Sequence, residues 1–257
     1  MQDIKIVDTN AENILDFGVC GYKSIKRPGF PEKVYWFKRR LIEDMKIKTL
    51  LTETDGSQGM IEYIPGEFCW RPVDAAGYLF IHCIFVGFKK IYKDKGYASL
   101  LLEECLKDAK EQNKLGVAVV TRKGSFMADK DLFLKYDFKV VDTVPSDFEL
   151  LALQFDKNAA QPKFKENLKN RASEYEKGLI IIRAFQCPYT VKNVNEICET
   201  AKTEYGINPV VIDMQTYQEA QDSPCAFGNF CIIYNGELIA EHPISKKRFT
   251  NIMNKLL

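Results

Sequence analysis

Histidine is scarce in this chain of 257 residues, because only His82 and His242 are present and they stand far apart. Transition metals in proteins are usually held by clustered His and Cys side chains. The eight cysteines contain no C-x-x-C pair, the spacing most typical of a zinc site. The sequence therefore predicts no metal site. The cysteines are also too sparse for a disulfide-stapled scaffold, which favours a reducing compartment.

Long apolar runs and an excess of one charge are absent as well. No segment approaches the ~20 apolar residues that cross a bilayer, and the amino terminus lacks the apolar core of a signal peptide. Lys and Arg number 36 against 35 Asp and Glu, so the net charge of +1 provides no global field for a polyanion. We predict a cytoplasmic protein with neither a membrane nor a nucleic acid as partner.

The length and composition predict two globular domains. Hydrophobic residues make up 46% of the 257 residues, which is ordinary for proteins with buried cores, and a domain typically takes about 150 residues. A polar, Lys-rich stretch interrupts the chain after residue 155. We assign residues 1–155 to a first α/β (α+β) domain, 156–177 to a linker or bridging helix, and 178–257 to a smaller second domain.

Apolar patterning predicts the elements of the first domain. Residues 78–86 are nearly all apolar or aromatic, as in a strand that is buried on both faces at the centre of a sheet. The pattern predicts an amphipathic helix over 96–113 and a second helix over about 32–46. Two strand-like runs, 46–51 and 59–64, flank a turn cluster and predict a hairpin.

A basic loop joins the central strand to the amphipathic helix. Lys93 and Lys95 precede Gly96 and Ala98, so a small-residue pair opens the helix beside two positive charges. The first N–H groups of a helix have no partner within it and attract anions, a pyrophosphate among them. A solvated basic loop before a glycine helix start has the same pattern, and both interpretations remain open on this segment alone.

Two motifs resemble those of the GCN5-related N-acetyltransferase (GNAT) superfamily. Lys93-x-x-Gly96-x-Ala98 is similar to the Gln/Arg-x-x-Gly-x-Gly/Ala signature, and residues 132–138 (LFLKYDF) resemble the later Phe-Tyr-x-x-x-Gly-Phe segment. The resemblance implies a mixed sheet flanked by helices and an acetyl-CoA-dependent transfer of acetyl to an amine. The cofactor-binding residues it implies are Ile84, Phe85, Val86, Lys93, Asp94, Lys95, Gly96, Tyr97, Ala98, Ser99 and Phe133.

The catalytic residues depart from that resemblance. Phe133 stands where many members carry the tyrosine that protonates the leaving thiolate, which makes the nearby Tyr136 the candidate acid. A base must take a proton from the attacking amine. His82 on the central strand is the candidate because its intrinsic pKa is near neutral, although a core histidine is the alternative. Glu67 and Glu62 compete for this role.

The loop after the hairpin contains an aromatic and cationic pair, Trp70 and Arg71. These side chains could grip a ring or a carboxylate of a small-molecule amine acceptor, or Trp70 could simply anchor the loop. Nothing in the pattern requires a dimer, which remains possible.

The second domain begins with a β-run that ends in Cys187-Pro-Tyr-Thr190 before a helix. A helix amino terminus stabilises a thiolate. The segment resembles the Cys-Pro-Tyr-Cys of glutaredoxins, which implies a thioredoxin-like domain with Pro224 as a candidate cis proline, and the whole chain resembles the bacterial YoaP-like proteins. Two other functions remain open: a thiol-disulfide or thiol-binding protein acting through Cys187, and a non-catalytic acyl-CoA sensor.

Overall fold

The computed structural model describes residues 4–169 and 171–257, which divide into two compact units. The first unit contains residues 4–69 and Val73–Phe164, and the second contains Trp70–Pro72 and Lys165–Leu257. The later boundary falls inside the segment 156–177. The described residues of that segment form a two-residue strand and two 3₁₀ turns, Glu166–Lys169 and Arg171–Glu174, and no α-helix.

The first unit contains both strands and helices. The strands are β1 (Ile4–Thr9), β2 (Lys46–Thr52), β3 (Gly56–Pro65), β4 (Val73–Asp74), β5 (Tyr78–Val86), β6 (Gly116–Thr121), β7 (Lys139–Val144), β8 (Phe148–Gln154) and β9 (Lys163–Phe164). The helices are α1 (Ile14–Phe17), α2 (Phe30–Arg40), α3 (Tyr97–Glu111) and α4 (Asp131–Leu134).

Seven of these strands form one mixed sheet in the order β1-β2-β3-β5-β6-β8-β7. Neighbouring strands are antiparallel except β5 and β6, which run parallel. Helix α3 packs its apolar stripe on this sheet, and Leu101, Leu102 and Cys105 lie in the same buried cluster as Ile61 and Leu79. A large mixed sheet covered by helices confirms the fold class expected from the sequence.

Helix α2 is shorter than its periodicity predicts, because it ends at Arg40 rather than near residue 46. A 3₁₀ turn, Leu41–Glu43, follows, and Asp44 takes a left-handed conformation with φ of 58°. The chain then enters β2 at Lys46, where pairing with β3 decides the conformation. The helical pattern of the sequence continues past Arg40, but the residues from Lys46 onwards belong to β2 because they pair with β3.

The second unit is built around a four-stranded sheet in the order β11-β10-β12-β13. Its strands are β10 (Leu179–Arg183), β11 (Val210–Asp213), β12 (Phe230–Tyr234) and β13 (Glu237–Ala240), and its helices are α5 (Tyr189–Tyr205), α6 (Tyr217–Gln221) and α7 (Lys246–Leu256). Strand β10 is parallel to β11 and antiparallel to β12. Among the described residues of both units, no helix is long and apolar enough to cross a membrane.

Candidate cofactor and catalytic site

The central strands β5 and β6 separate along their length. Strand β5 pairs with β6 only over Tyr78–Ile81, whereas its pairing with β3 continues to Val86. Residues 82–86 therefore have a strand partner on one side only. Because backbone N–H and C=O groups require partners, the other side of Ile84, Phe85 and Val86 can pair with an extended ligand.

The separation begins at a β-bulge. Glu62 pairs with Cys83 and Tyr63 with Ile81, so His82 is the extra residue on β5. A bulge bends its strand and re-aims nearby groups, and bulges are common beside functional sites. This feature places His82 at the point where the two strands begin to separate.

The basic loop leads from this strand edge to the start of α3. Gly96 is the N-cap residue of α3, in a left-handed conformation with φ of 76°. The N–H of Leu100 donates to the Gly96 carbonyl at 3.0 Å, which leaves the N–H groups of Tyr97, Ala98 and Ser99 without a helical partner. A Cβ built on Gly96 meets no atom within 4 Å, so the space beside this residue is open. The geometry fits a bound phosphate group.

The lysines of this loop divide between two roles. The Nζ of Lys89 is 3.0 Å from the carboxylate of Asp55 in the β2–β3 turn, which neutralises that charge. Lys93 places its Nζ 3.5 Å from the Val86 carbonyl oxygen, and Lys93 and Lys95 are both exposed. Asp94 lies between them with φ of 56°, a left-handed turn residue. Lys90, Lys93 and Lys95 carry the remaining positive charge of the loop, and Lys93 and Lys95 are the two nearest in sequence to the start of α3.

The two aromatic residues considered for the acid lie in different surroundings. Phe133 is 0% exposed in the core, with its ring centroid 5.4 Å from that of Phe138, so it presents no surface to a ligand. Tyr136 is partly exposed, and its hydroxyl donates to Glu103 of α3 at 2.6 Å. Burial and Glu103 raise the pKa of Tyr136, while a hydrogen bond with Ser99 opposes them. Tyr136 is thus the phenol beside the first turns of α3.

His82 belongs to a buried charged group. Its Nδ1 is 3.6 Å from one carboxylate oxygen of Glu62, and the other carboxylate oxygen accepts a hydrogen bond from Lys33 of α2. All three side chains are 0% exposed. Burial by itself raises the pKa of Glu62, but the positive charge of Lys33 and a hydrogen bond with His82 lower it to about 2. The structure therefore closes the imidazole to solvent and gives it a carboxylate neighbour.

Lys33 is the member of this group that sequence reasoning missed. It lies 29 positions from Glu62, on a helix whose lysines would ordinarily face water. The available signal is its spacing from other core residues of α2, since Phe30, Val34 and Phe37 are also buried. The Nζ of Lys33 also lies 4.3 Å from the Trp36 ring centroid, a cation–π contact.

Glu67 lies in a different setting from His82. It is exposed, follows β3 in a 3₁₀ turn, and accepts the Gly77 N–H at 2.8 Å. Its carboxylate therefore supports the turn that leads into β5.

Trp70 and Arg71 belong to the second unit and are 0% and 3% exposed. Arg71 donates to the Trp70 carbonyl at 2.8 Å, and its guanidinium carbon lies 5.2 Å from the centroid of the Phe227 ring. Buried in this way, the pair anchors residues 70–72 rather than exposing a charge or an indole face to a ligand.

Cys187 lies two residues before α5 and is half-buried. Its carbonyl oxygen accepts the Thr190 N–H at 3.2 Å and the Thr190 hydroxyl at 2.9 Å, which fixes the first turn. No disulfide joins the eight cysteines, all of which are described. The peptide bond before Pro224 is trans, so the expectation of a cis proline there is wrong.

Comparison with known proteins gives one relative over nearly the whole chain. The uncharacterized N-acetyltransferase YoaP of Bacillus subtilis is 28% identical over 254 residues, covering 97% of this chain and 98% of the relative. The YoaP-like family also matches residues 210–251. The chain is thus similar to YoaP-like proteins, and to an N-acetyltransferase among them over nearly its whole length. This confirms the resemblance identified in the sequence.

Solved structures similar to this chain include several acetyltransferases. An N-acetyltransferase from Staphylococcus aureus Mu50 is 17% identical with a TM-score of 0.44, covering 60% of this chain and 99% of its own. A Bacillus anthracis protein assigned as a streptothricin acetyltransferase, solved with acetyl coenzyme A, is 21% identical with a TM-score of 0.34 and covers 43% of this chain. The chain spans 62% of that protein's length.

Proposed function

We propose that this protein is an acetyl-CoA-dependent N-acetyltransferase that acts on an amine, and that its first unit performs the reaction. The carrying observation is the start of α3 at Gly96, where the N–H groups of Tyr97, Ala98 and Ser99 have no helical partner and Lys93 and Lys95 are exposed just before them in the chain. The relative from Bacillus subtilis is named an N-acetyltransferase, which supports the same activity.

The residues of this chain would hold acetyl-CoA at two places. The N–H groups at the start of α3, with Lys93 and Lys95, would bind the diphosphate. The unpaired side of Ile84–Val86 binds the extended arm and polarises the acetyl carbonyl. When bound, acetyl-CoA supplies an activated acetyl thioester.

Two side chains would move the protons. The acceptor amine attacks the acetyl carbon, a C–N bond forms and the C–S bond breaks. His82 takes the proton released by the amine, and Tyr136 gives its proton to the leaving thiolate. Because the His82 side chain is wholly buried, this role requires that the acceptor reach it through the gap between β5 and β6. The acceptor is a small molecule in this proposal.

The test is release of free coenzyme A thiol from acetyl-CoA over a panel of amines. The matched pair Gly96→Asp and Gly96→Asn separates charge from shape, because Asn and Asp tolerate left-handed φ equally and differ only in charge. We expect Gly96→Asn to keep a thermal shift with coenzyme A and Gly96→Asp to lose it. A wild-type protein that neither binds coenzyme A nor releases thiol would refute the proposal.

Binding without thiol release would instead favour the acyl-CoA sensor. The observation behind that alternative is Phe133, which is wholly buried where the superfamily often has its acid. A sensor would show the thermal shift with coenzyme A and no turnover with any amine.

A second proposed activity belongs to the second unit. The order β10-α5-β11-α6-β12-β13-α7, with β10 parallel to β11 and antiparallel to β12, supports a thioredoxin-like fold. Cys187 is half-buried just before the first turn of α5, where the helix dipole favours a thiolate. Thr190 replaces the second cysteine of a dithiol motif, so we propose thiol binding rather than dithiol exchange.

A further inference from the structure

Asp55, in the turn between β2 and β3, is bonded to two side chains of the loop that joins β5 to α3. Its carboxylate accepts the Nζ of Lys89 at 3.0 Å and the hydroxyl of Tyr92. Its backbone carbonyl also accepts Lys23 Nζ at 3.1 Å and Gln58 Nε2 at 2.8 Å. One residue thus ties a turn of the sheet to the loop that carries the diphosphate candidates.

Tyr92 is the point at which the loop is fixed. It is 1% exposed, and it is the one buried residue between Phe88 and Gly96. Its ring centroid lies 6.4 Å from that of Tyr97, the first residue of α3. At the start of the loop, the N–H of Gly87 donates to the Gln58 carbonyl at 2.6 Å. The loop is therefore bonded to the start of β3 at its beginning and to the β2–β3 turn at its middle.

The charge of Asp55 makes this arrangement informative. The hydrogen bonds from Tyr92 and Lys89 lower the pKa of Asp55, so it carries a negative charge at neutral pH. A carboxylate beside a diphosphate site repels the ligand, and it also occupies a lysine that the ligand could use. Long-range charge alone would therefore favour coenzyme A binding without Asp55.

We propose that Asp55 is a positioning residue for coenzyme A, which holds Tyr92 and Lys89 so that the loop presents Lys93, Lys95 and the first N–H groups of α3 to the diphosphate. This inference rests on the proposed function of the first unit. Charge and positioning predict opposite signs: removal of the Asp55 charge tightens binding if only charge matters, and weakens it if the loop must be held.

The experiment compares Asp55→Asn and Tyr92→Phe with Glu53→Gln in the full chain. Glu53 is an exposed carboxylate of the same turn and is not the acceptor of the Lys89 or Tyr92 bonds, so it controls for the lost charge. The readouts are the dissociation constant of coenzyme A by calorimetry, KM for acetyl-CoA, kcat, and thermal unfolding.

We expect Asp55→Asn and Tyr92→Phe each to weaken coenzyme A binding and raise KM about tenfold, with kcat changed less than about twofold and Glu53→Gln unchanged. The double variant should have about the same dissociation constant for coenzyme A as either single variant, because both substitutions remove the same interaction. Binding by Asp55→Asn that equals or exceeds wild type overturns this proposal alone. If Asp55→Asn does not fold, Tyr92→Phe decides by the same criterion. A wild type that binds no coenzyme A overturns the proposed function and this proposal together.

Discussion

Nδ1 of His82 lies 3.6 Å from a carboxylate oxygen of Glu62, and neither side chain has exposed surface. Lys33 contacts the other oxygen, so a cation, an anion and an imidazole share a site without solvent. Breaking a buried ion pair leaves one charge uncompensated, which costs more than the pair contributes. The group is therefore sensitive to any change of a single member.

Glu62→Gln should change how stability depends on pH. The pKa of Glu62 is lowered from 4.5 to about 2 in the folded state. A carboxyl with a lowered folded pKa stabilises the protein above its unfolded pKa, and this contribution is lost as pH falls towards the folded value. We expect wild type to lose about 3 kcal/mol between pH 4.5 and 2 from this residue, a loss that the variant lacks.

At pH 7 the same variant should be less stable than wild type by about 3 kcal/mol, because Lys33 stays buried without its counter-charge. Urea unfolding at pH 7, 5 and 3 measures both effects, with the exposed Glu53→Gln as control. If the free energy of unfolding changed with pH in the same way in wild type and Glu62→Gln, the lowered pKa of Glu62 would be contradicted.

Gly228→Ala should destabilise the second unit more than Gly206→Ala. Both glycines have positive φ, 78° and 67°. A Cβ on Gly228 would lie 2.6 Å from the Trp70 carbonyl oxygen, whereas one on Gly206 meets nothing within 4 Å. We expect losses of about 1 kcal/mol for Gly206→Ala and about 3 kcal/mol for Gly228→Ala, measured by denaturant unfolding. Equal losses would show that residues 70–72 do not pack closely at Gly228.

Tyr136→Phe should lower kcat at least about tenfold and leave KM for acetyl-CoA nearly unchanged, because in the proposed mechanism the hydroxyl acts only when the thiolate leaves. Glu103→Gln is the control, since it removes the charge that accepts the Tyr136 hydrogen bond but keeps the phenol. Steady-state thiol release measures both constants. Full activity of Tyr136→Phe would exclude Tyr136 as the acid.

Cys187 should be the thiol that reacts first with iodoacetamide. Cys69, Cys105, Cys225 and Cys231 are buried, and burial raises the pKa of Cys198. Cys20 and Cys83 are partly exposed like Cys187, but only Cys187 lies just before the first turn of a long helix, where a thiolate is stabilised. Peptide mass spectrometry after brief alkylation at pH 6, 7 and 8 identifies the site, and Cys187→Ser should remove the fast phase. If Cys187 reacts only as fast as an ordinary thiol with a pKa near about 8.5, the proposed thiol function loses its basis.

The central elements could be predicted from sequence because local pattern and tertiary structure agree there. Strand β5 has the bounds that its apolar run predicts, Tyr78–Val86, and α3 ends within two residues of its predicted limits. The apolar stripe of α3 is sufficient to predict which of its residues are buried. Helix α2 was predicted too long because periodicity does not record where a neighbouring strand begins to pair.

The site was predictable where it is contiguous in the chain. The loop and helix start around Gly96 follow from one short segment, but the contacts of Asp55 with Lys89 and Tyr92 join residues 34 and 37 positions apart. Trp70 and Arg71 were wrongly predicted to face a ligand because their residue types suit such a site. Their burial depends on packing partners far along the chain, such as Phe227, which the sequence pattern does not reveal.

Residues 70–72 have a practical consequence for work with fragments. The chain leaves its first unit after Cys69, gives three residues to the second, and returns at Val73 before the final crossing at Lys165. A fragment that starts at 165 therefore lacks a piece of its own unit, and one that stops at 164 carries three residues foreign to it. No single cut in the gene separates the two units cleanly, so each proposed activity is best tested with point substitutions in the intact polypeptide.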